Sequence, residues 1–290
     1  MKRLLAISLF LFTILSFLSE NAFAGAWTLP KHNLWGEWYF KWHWSKEEFN
    51  YARHKKRKEN DARSWGWTME PKIEFGITDW LTALGSIEYK EDKYKQYGRP
   101  DAWGPYRRKN HGVTFVKLGG RVRFIEEPFV LSGQIKGYVY TGYDKDREPS
   151  IGDGEDALEL RALIGKEFYI PIALKKPINL RCYFGAESGY RFKNKNANND
   201  IPFFLEGGFW LFDWLLLKAE IDGYKSHEAT GSKEKDYAIW RIGPSFQILG
   251  GDSIAREGKQ FNLEVQYGQT FWGKNTSLNQ EITFKIQTQF

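Results

Sequence analysis

The sequence predicts an all-β protein: a transmembrane, antiparallel, up-and-down β-barrel of about twelve strands, with short periplasmic turns and long extracellular loops. Three observations predict it. Segment after segment alternates apolar and polar residues, the connections alternate between short and long, and the N-terminus is built like an export leader. The alternation is clearest at the C-terminus. There Ile282, Phe284, Ile286 and Phe290 share one side of residues 278–290, and Glu281, Thr283, Lys285, Gln287 and Gln289 share the other. Successive strand side chains point to opposite faces. A soluble strand buries its apolar face in a core, whereas a membrane barrel turns that face to lipid and the polar one to its lumen.

The leader has three parts. Lys2 and Arg3 are followed by an apolar run over residues 4–18 and by the small-x-small site Ala22-Phe23-Ala24. This is the pattern of a secretory signal peptide, and the run is shorter than the ~20 residues a spanning helix needs. Cleavage is expected after Ala24, giving a signal peptide over 1–24 and a single barrel domain over 25–290. Removing Lys2, Arg3 and Glu20 takes the net charge only from +6 to +5. Neither that charge nor export suits nucleic acid, and the expected location is the outer membrane. A lone cysteine, Cys182, excludes an internal disulfide framework. Aromatics reach 17% of residues, with thirteen Trp, in a chain whose mean hydropathy is −0.56. Dense aromatics in a hydrophilic chain fit interfacial girdles better than a soluble core.

The strands follow in order. Residues 34–44 place Leu34, Trp38, Phe40, Trp42 and Trp44 opposite Glu37, Tyr39, Lys41 and His43. Residues 45–63 are hydrophilic and show no pattern that would bury anything. Residues 65–77 resume the alternation, with Pro71 on the apolar side. A proline cannot donate to the ladder, so a bulge is expected there. Thr78-Asp79-Trp80 turns tightly into 81–89, and a long polar loop is expected over 90–110. Strands over 116–124 and 129–140 meet at Glu126-Glu127-Pro128. Loop 141–154 leads to strands over 157–164 and 179–192, joined through 169–177. Strands over 203–211 and 215–224 meet at a second tight turn, Phe212-Asp213-Trp214. Strands over 239–248 and 261–267 precede the closing segment, which must pair with 34–44 because an open edge in lipid leaves unsatisfied backbone groups.

Several local signatures carry a family resemblance: Gly25-Ala26-Trp27 after the leader, the hairpin Gly76-Ile77-Thr78-Asp79-Trp80, Leu158-Glu159-Leu160-Arg161, Gly189-Tyr190-Arg191-Phe192 and the terminal Phe290. Together they resemble the porin-like and transporter-like outer-membrane β-barrels of Gram-negative bacteria. The resemblance implies architecture and class, not substrate. It also implies that the last strand is read by the outer-membrane assembly machinery, with Phe290 as the signal residue and Thr288 departing mildly from the pattern.

The inward-facing residues are the candidate functional surface. Lumen-lining candidates are Lys117, Arg121, Arg123, Lys136, Glu159, Arg161, Arg181, Glu187, Arg191, Glu220 and Arg241, with basic residues concentrated between 117 and 191. Trp42, Trp44, Trp65, Trp67, Trp80, Trp214 and Trp240 are the expected aromatic girdle. Three readings are open: a channel for small hydrophilic solutes, anions among them; a barrel plugged by salt bridges with a structural or surface-binding role; and a lipid-modifying enzyme. The third would draw on His43, His54, His111 and His227 near the outer rim, with Ser64 and Ser226, through pairing across strands. The run Arg53 to Lys58 and Arg107-Arg108-Lys109 can meet lipopolysaccharide phosphates. Asp144, Asp146, Asp153, Glu155 and Asp156 match no Ca²⁺ ligand spacing. No cofactor or metal is expected. The expected partners are outer-membrane lipids, lipopolysaccharide, the assembly machinery and small solutes.

Overall fold

The computed structural model describes residues 25–97, 106–144, 147–172, 178–194, 198–227, 234–249 and 260–290. Twelve long antiparallel strands close into a barrel: β1 (Leu34–Ser45), β4 (Arg63–Thr78), β5 (Leu81–Gln96), β6 (Tyr106–Ile125), β7 (Val130–Tyr140), β8 (Ala157–Ile172), β9 (Ile178–Lys193), β10 (Asn199–Phe212), β11 (Leu215–His227), β12 (Asp236–Leu249), β13 (Gln260–Lys274) and β15 (Gln280–Gln289). Each pairs with its chain neighbour, and β15 returns to β1 over Trp35↔Gln289 to Trp44↔Gln280. Leu34 and Phe290 then exchange backbone hydrogen bonds of 3.0 and 2.9 Å. Closure satisfies the ladder all round, which lipid demands.

The outward face is apolar and uncovered. Trp38, Trp42, Ile73, Leu118, Ile135, Leu160 and Phe284 are all exposed. Exposure on that scale would be an aggregation hazard in water and is the normal lipid-facing band of a membrane barrel. Among the expected girdle residues, Trp42, Trp80 and Trp214 are each about half exposed. Trp67 stacks between Phe40 and Tyr89 near the extracellular end, with centroids at 6.0 and 5.1 Å. At the periplasmic end Trp214 stacks on Phe212 and Phe246. Trp44 and Trp65 face each other across the β1–β4 ladder, with the Trp44 indole donating to Gln280 at 2.7 Å. Trp240 packs edge-on to Tyr267.

The extracellular end departs from expectation. The expected loop over 90–110 is mostly strand, because β5 continues to Gln96 and β6 begins at Tyr106. Above the membrane both faces of a strand are polar, so the apolar alternation that marks a strand in sequence disappears. Residues 45–63 are likewise ordered. They form β2 (Glu47–Phe49) and β3 (Lys55–Arg57), which with β14 (Thr276–Ser277) make a small sheet at the barrel rim, followed by a 3-10 turn over Glu59–Asp61. Charge pairing holds this hairpin: Lys55 with Glu47 at 3.0 Å, Lys56 with Glu48 at 3.3 Å and Arg57 with Asp61 at 2.6 Å. The bulge expected at Pro71 is absent. The β4–β5 register is unchanged from Met69↔Tyr89 to Lys72↔Ser86 and shifts only between Gly76 and Thr78. Pro71 simply leaves a gap in pairing on its β5 side.

Candidate functional site in the barrel lumen

The lumen holds a piece of chain that the alternation does not predict. Residues 25–30 precede β1 and enter the barrel from the periplasmic end, where Ala26, Trp27 and Leu29 are almost completely buried. Trp27 and Ala26 pack with Val130, Leu163, Tyr183 and Trp210, and Leu216 closes the cluster. Burying Leu29 alone stabilises the arrangement by about 1.5 to 3 kcal/mol. Backbone groups of the segment are held by the wall. Leu29 N donates to Thr82 Oγ1 at 2.8 Å, Arg121 Nη1 donates to the Trp27 carbonyl at 2.9 Å, and Ser132 Oγ donates to the Ala26 carbonyl. Thr28 Oγ1 donates to the Asp79 carbonyl at 2.6 Å, which ties the segment to the β4–β5 turn. Gly165 makes room for the indole, since a Cβ there would lie 2.2 Å from the Trp27 ring.

The rest of the lumen is lined by ion pairs. Two hubs stand out. On β11, Glu220 accepts from Lys285 at 2.7 Å and pairs with Lys218 at 3.0 Å and Arg241 at 3.7 Å. Lys218 also reaches Glu206 at 2.8 Å, and Arg241 reaches Glu281 at 2.6 Å. On β8, Glu159 is fully buried between Arg161 at 2.7 Å and Arg191 at 2.6 Å. Arg161 also binds Glu187 at 3.0 Å, and Lys117 bridges Glu70 and Glu88 at 2.8 and 2.7 Å. Buried charges of one sign are costly alone, and this reciprocal pairing is what makes them tolerable.

Beside the N-terminal segment runs one cavity of about 650 Å³. Its lining extends from Asp153 and Lys193 towards the extracellular end to Trp214 and Gln247 by the periplasmic turns, and it includes Gly25 and Leu29 of the segment. That volume is in the range of small-molecule sites, ~300 to 1,000 Å³. Its wall carries twelve cationic and thirteen acidic side chains, so the lining is balanced in net charge. The signs are unevenly placed. Strands β6 to β9 contribute Lys117, Arg121, Lys136, Arg161, Arg191 and Lys193 against Glu187, while β10 to β13 contribute five carboxylates against Lys218 and Arg241.

Of the candidate lining residues, Lys117, Arg121, Lys136, Arg161, Glu187, Arg191, Glu220 and Arg241 lie on the cavity wall. Three do not. Glu159 is screened by its two arginines. Arg123 sits at the periplasmic rim, paired with Glu126 at 3.0 Å. Arg181 pairs with Glu167 at 2.5 Å and lies over the Trp210 ring at 4.8 Å, away from the cavity wall. Lys136 stands out on the wall because no ion pair holds it among the described residues. The residues that sequence reasoning missed are Ala26, Trp27 and Leu29. Their signal was present as apolar residues at inward positions, Leu84, Leu163, Tyr183, Trp210 and Leu216, where a water-filled lumen has no use for them.

The rim residues are otherwise engaged. His43 pairs with Asp92 at 3.1 Å, His227 meets the Tyr190 hydroxyl at 2.9 Å, and Ser226 donates to the Lys235 carbonyl at 2.6 Å. Ser64 accepts from Lys58, and Ser45, two residues beyond His43, donates to the Glu47 carbonyl. Asp153 pairs with Lys193, Asp156 accepts from the Tyr140 amide, and Asp144 accepts from the Arg147 amide. Asp146 lies outside the described residues. Among those described, no three His, Cys, Asp or Glu side chains are grouped to hold a metal.

No family model matches the chain, and no curated protein matches it. Solved structures do. The COG4313 outer membrane channel from Pseudomonas putida F1 superposes with a TM-score of 0.63 at 13% identity, covering 93% of this chain and all of that one. The translocator domain of the autotransporter NalP from Neisseria meningitidis gives 0.45 at 10% identity, covering 89% of this chain and 88% of that one. The superposition on the COG4313 channel shows the fold to be that of an outer-membrane β-barrel.

Proposed function

We propose that the protein is a narrow diffusion channel of the outer membrane for small hydrophilic solutes, with residues 25–30 forming its periplasmic constriction. The observation that supports this most is the cavity beside the segment, whose charged lining reaches from Asp153 and Lys193 towards the extracellular end to Gln247 by the periplasmic turns. A ring of paired charges gives water and small polar solutes a wettable path while holding the bore narrow. The near-equal count of the two signs argues for weak selection by net charge, in place of a preference for anions. The lateral separation of signs sets a field across the bore that orients dipolar solutes, so small zwitterions are the class it suits best. Similarity to a solved outer membrane channel agrees with this reading. In this account the leader is removed after Ala24, so that Gly25 becomes the first residue of the constriction, packed against the Glu187 carboxylate.

Planar-bilayer recording of the refolded protein tests the proposal. Small, stable conductance steps with a cation-to-anion permeability ratio near one are expected; a membrane that stays silent at all protein concentrations would remove the channel. The terminal strand has its own test. Phe290 is exposed beside the β1–β15 seam, so Phe290→Gln leaves the folded contacts almost untouched and should reduce the heat-modifiable barrel recovered from outer membranes. Unchanged recovery would exclude Phe290 as an assembly signal.

A further inference from the structure

Strands β4, β5 and β6 continue beyond the aromatic girdle into the extracellular space, and their ladders bring cations together there. Arg63 stands opposite Lys95, and Lys95 opposite Arg107. Directly opposed residues lie ~5 Å apart at Cα and share one face of the sheet. The face is the outer one. Trp65 and Trp67 alternate with Arg63 on the same side of β4, and Trp67 belongs to the lipid-facing stack with Phe40 and Tyr89. One row below, Lys93 and Lys109 are both held by Glu91, at 2.8 and 2.9 Å. The upper row has no such counter-charge: among the described residues, Arg63, Lys95 and Arg107 form no ion pair. Like charges placed directly across a ladder destabilise it. The Tyr97 phenol registers their convergence, held below its ordinary value by the hydrogen bond from Lys95 and by the positive field of Lys95, Arg63 and Arg107.

We propose that the Arg63–Lys95–Arg107 row is a binding site for a lipid-borne phosphate of the outer leaflet, which in a Gram-negative membrane is that of lipopolysaccharide. Its position selects the lipid over a dissolved anion. Trp65, the outermost girdle residue on β4, and Arg63 are two residues apart, so the row lies ~7 Å along the strand beyond the girdle, at headgroup depth, since such belts sit at the interface. It faces away from the lumen, where a permeating solute never passes. Arginine and lysine on a rigid sheet then meet phosphate oxygens through charge-assisted hydrogen bonds.

Native mass spectrometry of the full-length barrel mixed with lipid A tests the site. The triple variant R63Q/K95Q/R107Q should retain about tenfold less lipid A than wild type. The charge-matched control K31Q/K46Q/K225Q, at three exposed lysines elsewhere, should retain as much as wild type. Dephosphorylated lipid A should bind wild type more weakly, and equimolar inorganic phosphate should not displace lipid A. Equal retention by the triple variant overturns the proposal, and so does equal loss in the control, which would mean bulk charge alone. Displacement by inorganic phosphate also overturns it, by showing a free-anion site. Should the triple variant fail to show heat-modifiable migration, Lys95→Gln at the centre of the row must show a smaller loss of its own; full retention there overturns the site equally.

Discussion

The two sides of the lumen are built on opposite principles. From β7 to β10 the inner wall near the periplasmic end, below the Glu159 ion pairs, carries an apolar patch, with Leu163, Tyr183 and Trp210 closing on Trp27. From β11 round to β4 the wall is a lattice of ion pairs centred on Glu220 and Glu37, where Lys72 donates to Glu37 at 2.8 Å. The inward positions therefore do two separate jobs. The charged side is part of the barrel itself, since its members bridge strands. The apolar side is a seat for a segment that contributes nothing to the twelve-strand ladder.

This contrast makes mutations on the two sides separable. The largest expected effect on barrel stability is at the hub: Glu220→Gln strips three cations of their shared carboxylate, and breaking a buried pair costs about 3 to 5 kcal/mol. The midpoint of denaturant unfolding, followed by heat-modifiable migration, should fall clearly. An unchanged midpoint would mean that Glu206, Glu264 and Glu281 carry the cations without it. Next comes the seat. Leu163→Ala opens a cavity under Trp27 and should cost about 2 to 5 kcal/mol, but against the docked segment alone. Proteolysis near residue 27 should quicken while the barrel's unfolding midpoint holds; a matching drop in that midpoint would erase the distinction between the two sides. The smallest effect lies outside both. Lys58 is buried at the rim, and burial lowers its pKa from 10.5 to about 8, against the pull of Glu48 and Asp92. A lysine whose folded pKa lies below its unfolded value destabilises the fold below about pH 8, and that cost fades as pH rises towards about 10.5. Protease resistance of the 45–63 hairpin should therefore increase across that window in wild type and stay flat in Lys58→Met; flat behaviour in both would rule the lysine out.

Much of the barrel is legible in the sequence because lipid imposes a strict period. Leu34 to Trp44, Ile282 to Phe290 and the Asp79 and Asp213 turns announce themselves, and the β1–β15 closure follows from hydrogen-bond bookkeeping in a medium without water. The extracellular extensions of β5 and β6 are illegible for a physical reason: Lys93, Lys95, Arg107 and Lys109 are as hydrophilic on the outer face as Asp92 and Asn110 are on the inner one. The lumen is half legible. Arg121, Arg161 and Arg241 point inward as their parity requires, but a run of basic residues between 117 and 191 does not reveal the carboxylates that β10 to β13 bring across from them. The docked segment is the deepest omission, because 25–30 has no period and its seat comes from five strands scattered over the chain. Only Leu84, Leu163, Tyr183, Trp210 and Leu216, apolar where the parity calls for polar, point to it.

If residues 25–30 narrow the bore, single-channel conductance reads it. Replacing both anchors in Trp27→Gly/Leu29→Gly leaves every barrel ladder intact while emptying the apolar seat. Well-folded barrels whose unitary conductance is several-fold larger than wild type are expected. Folded double-variant barrels with wild-type conductance would contradict that narrowing.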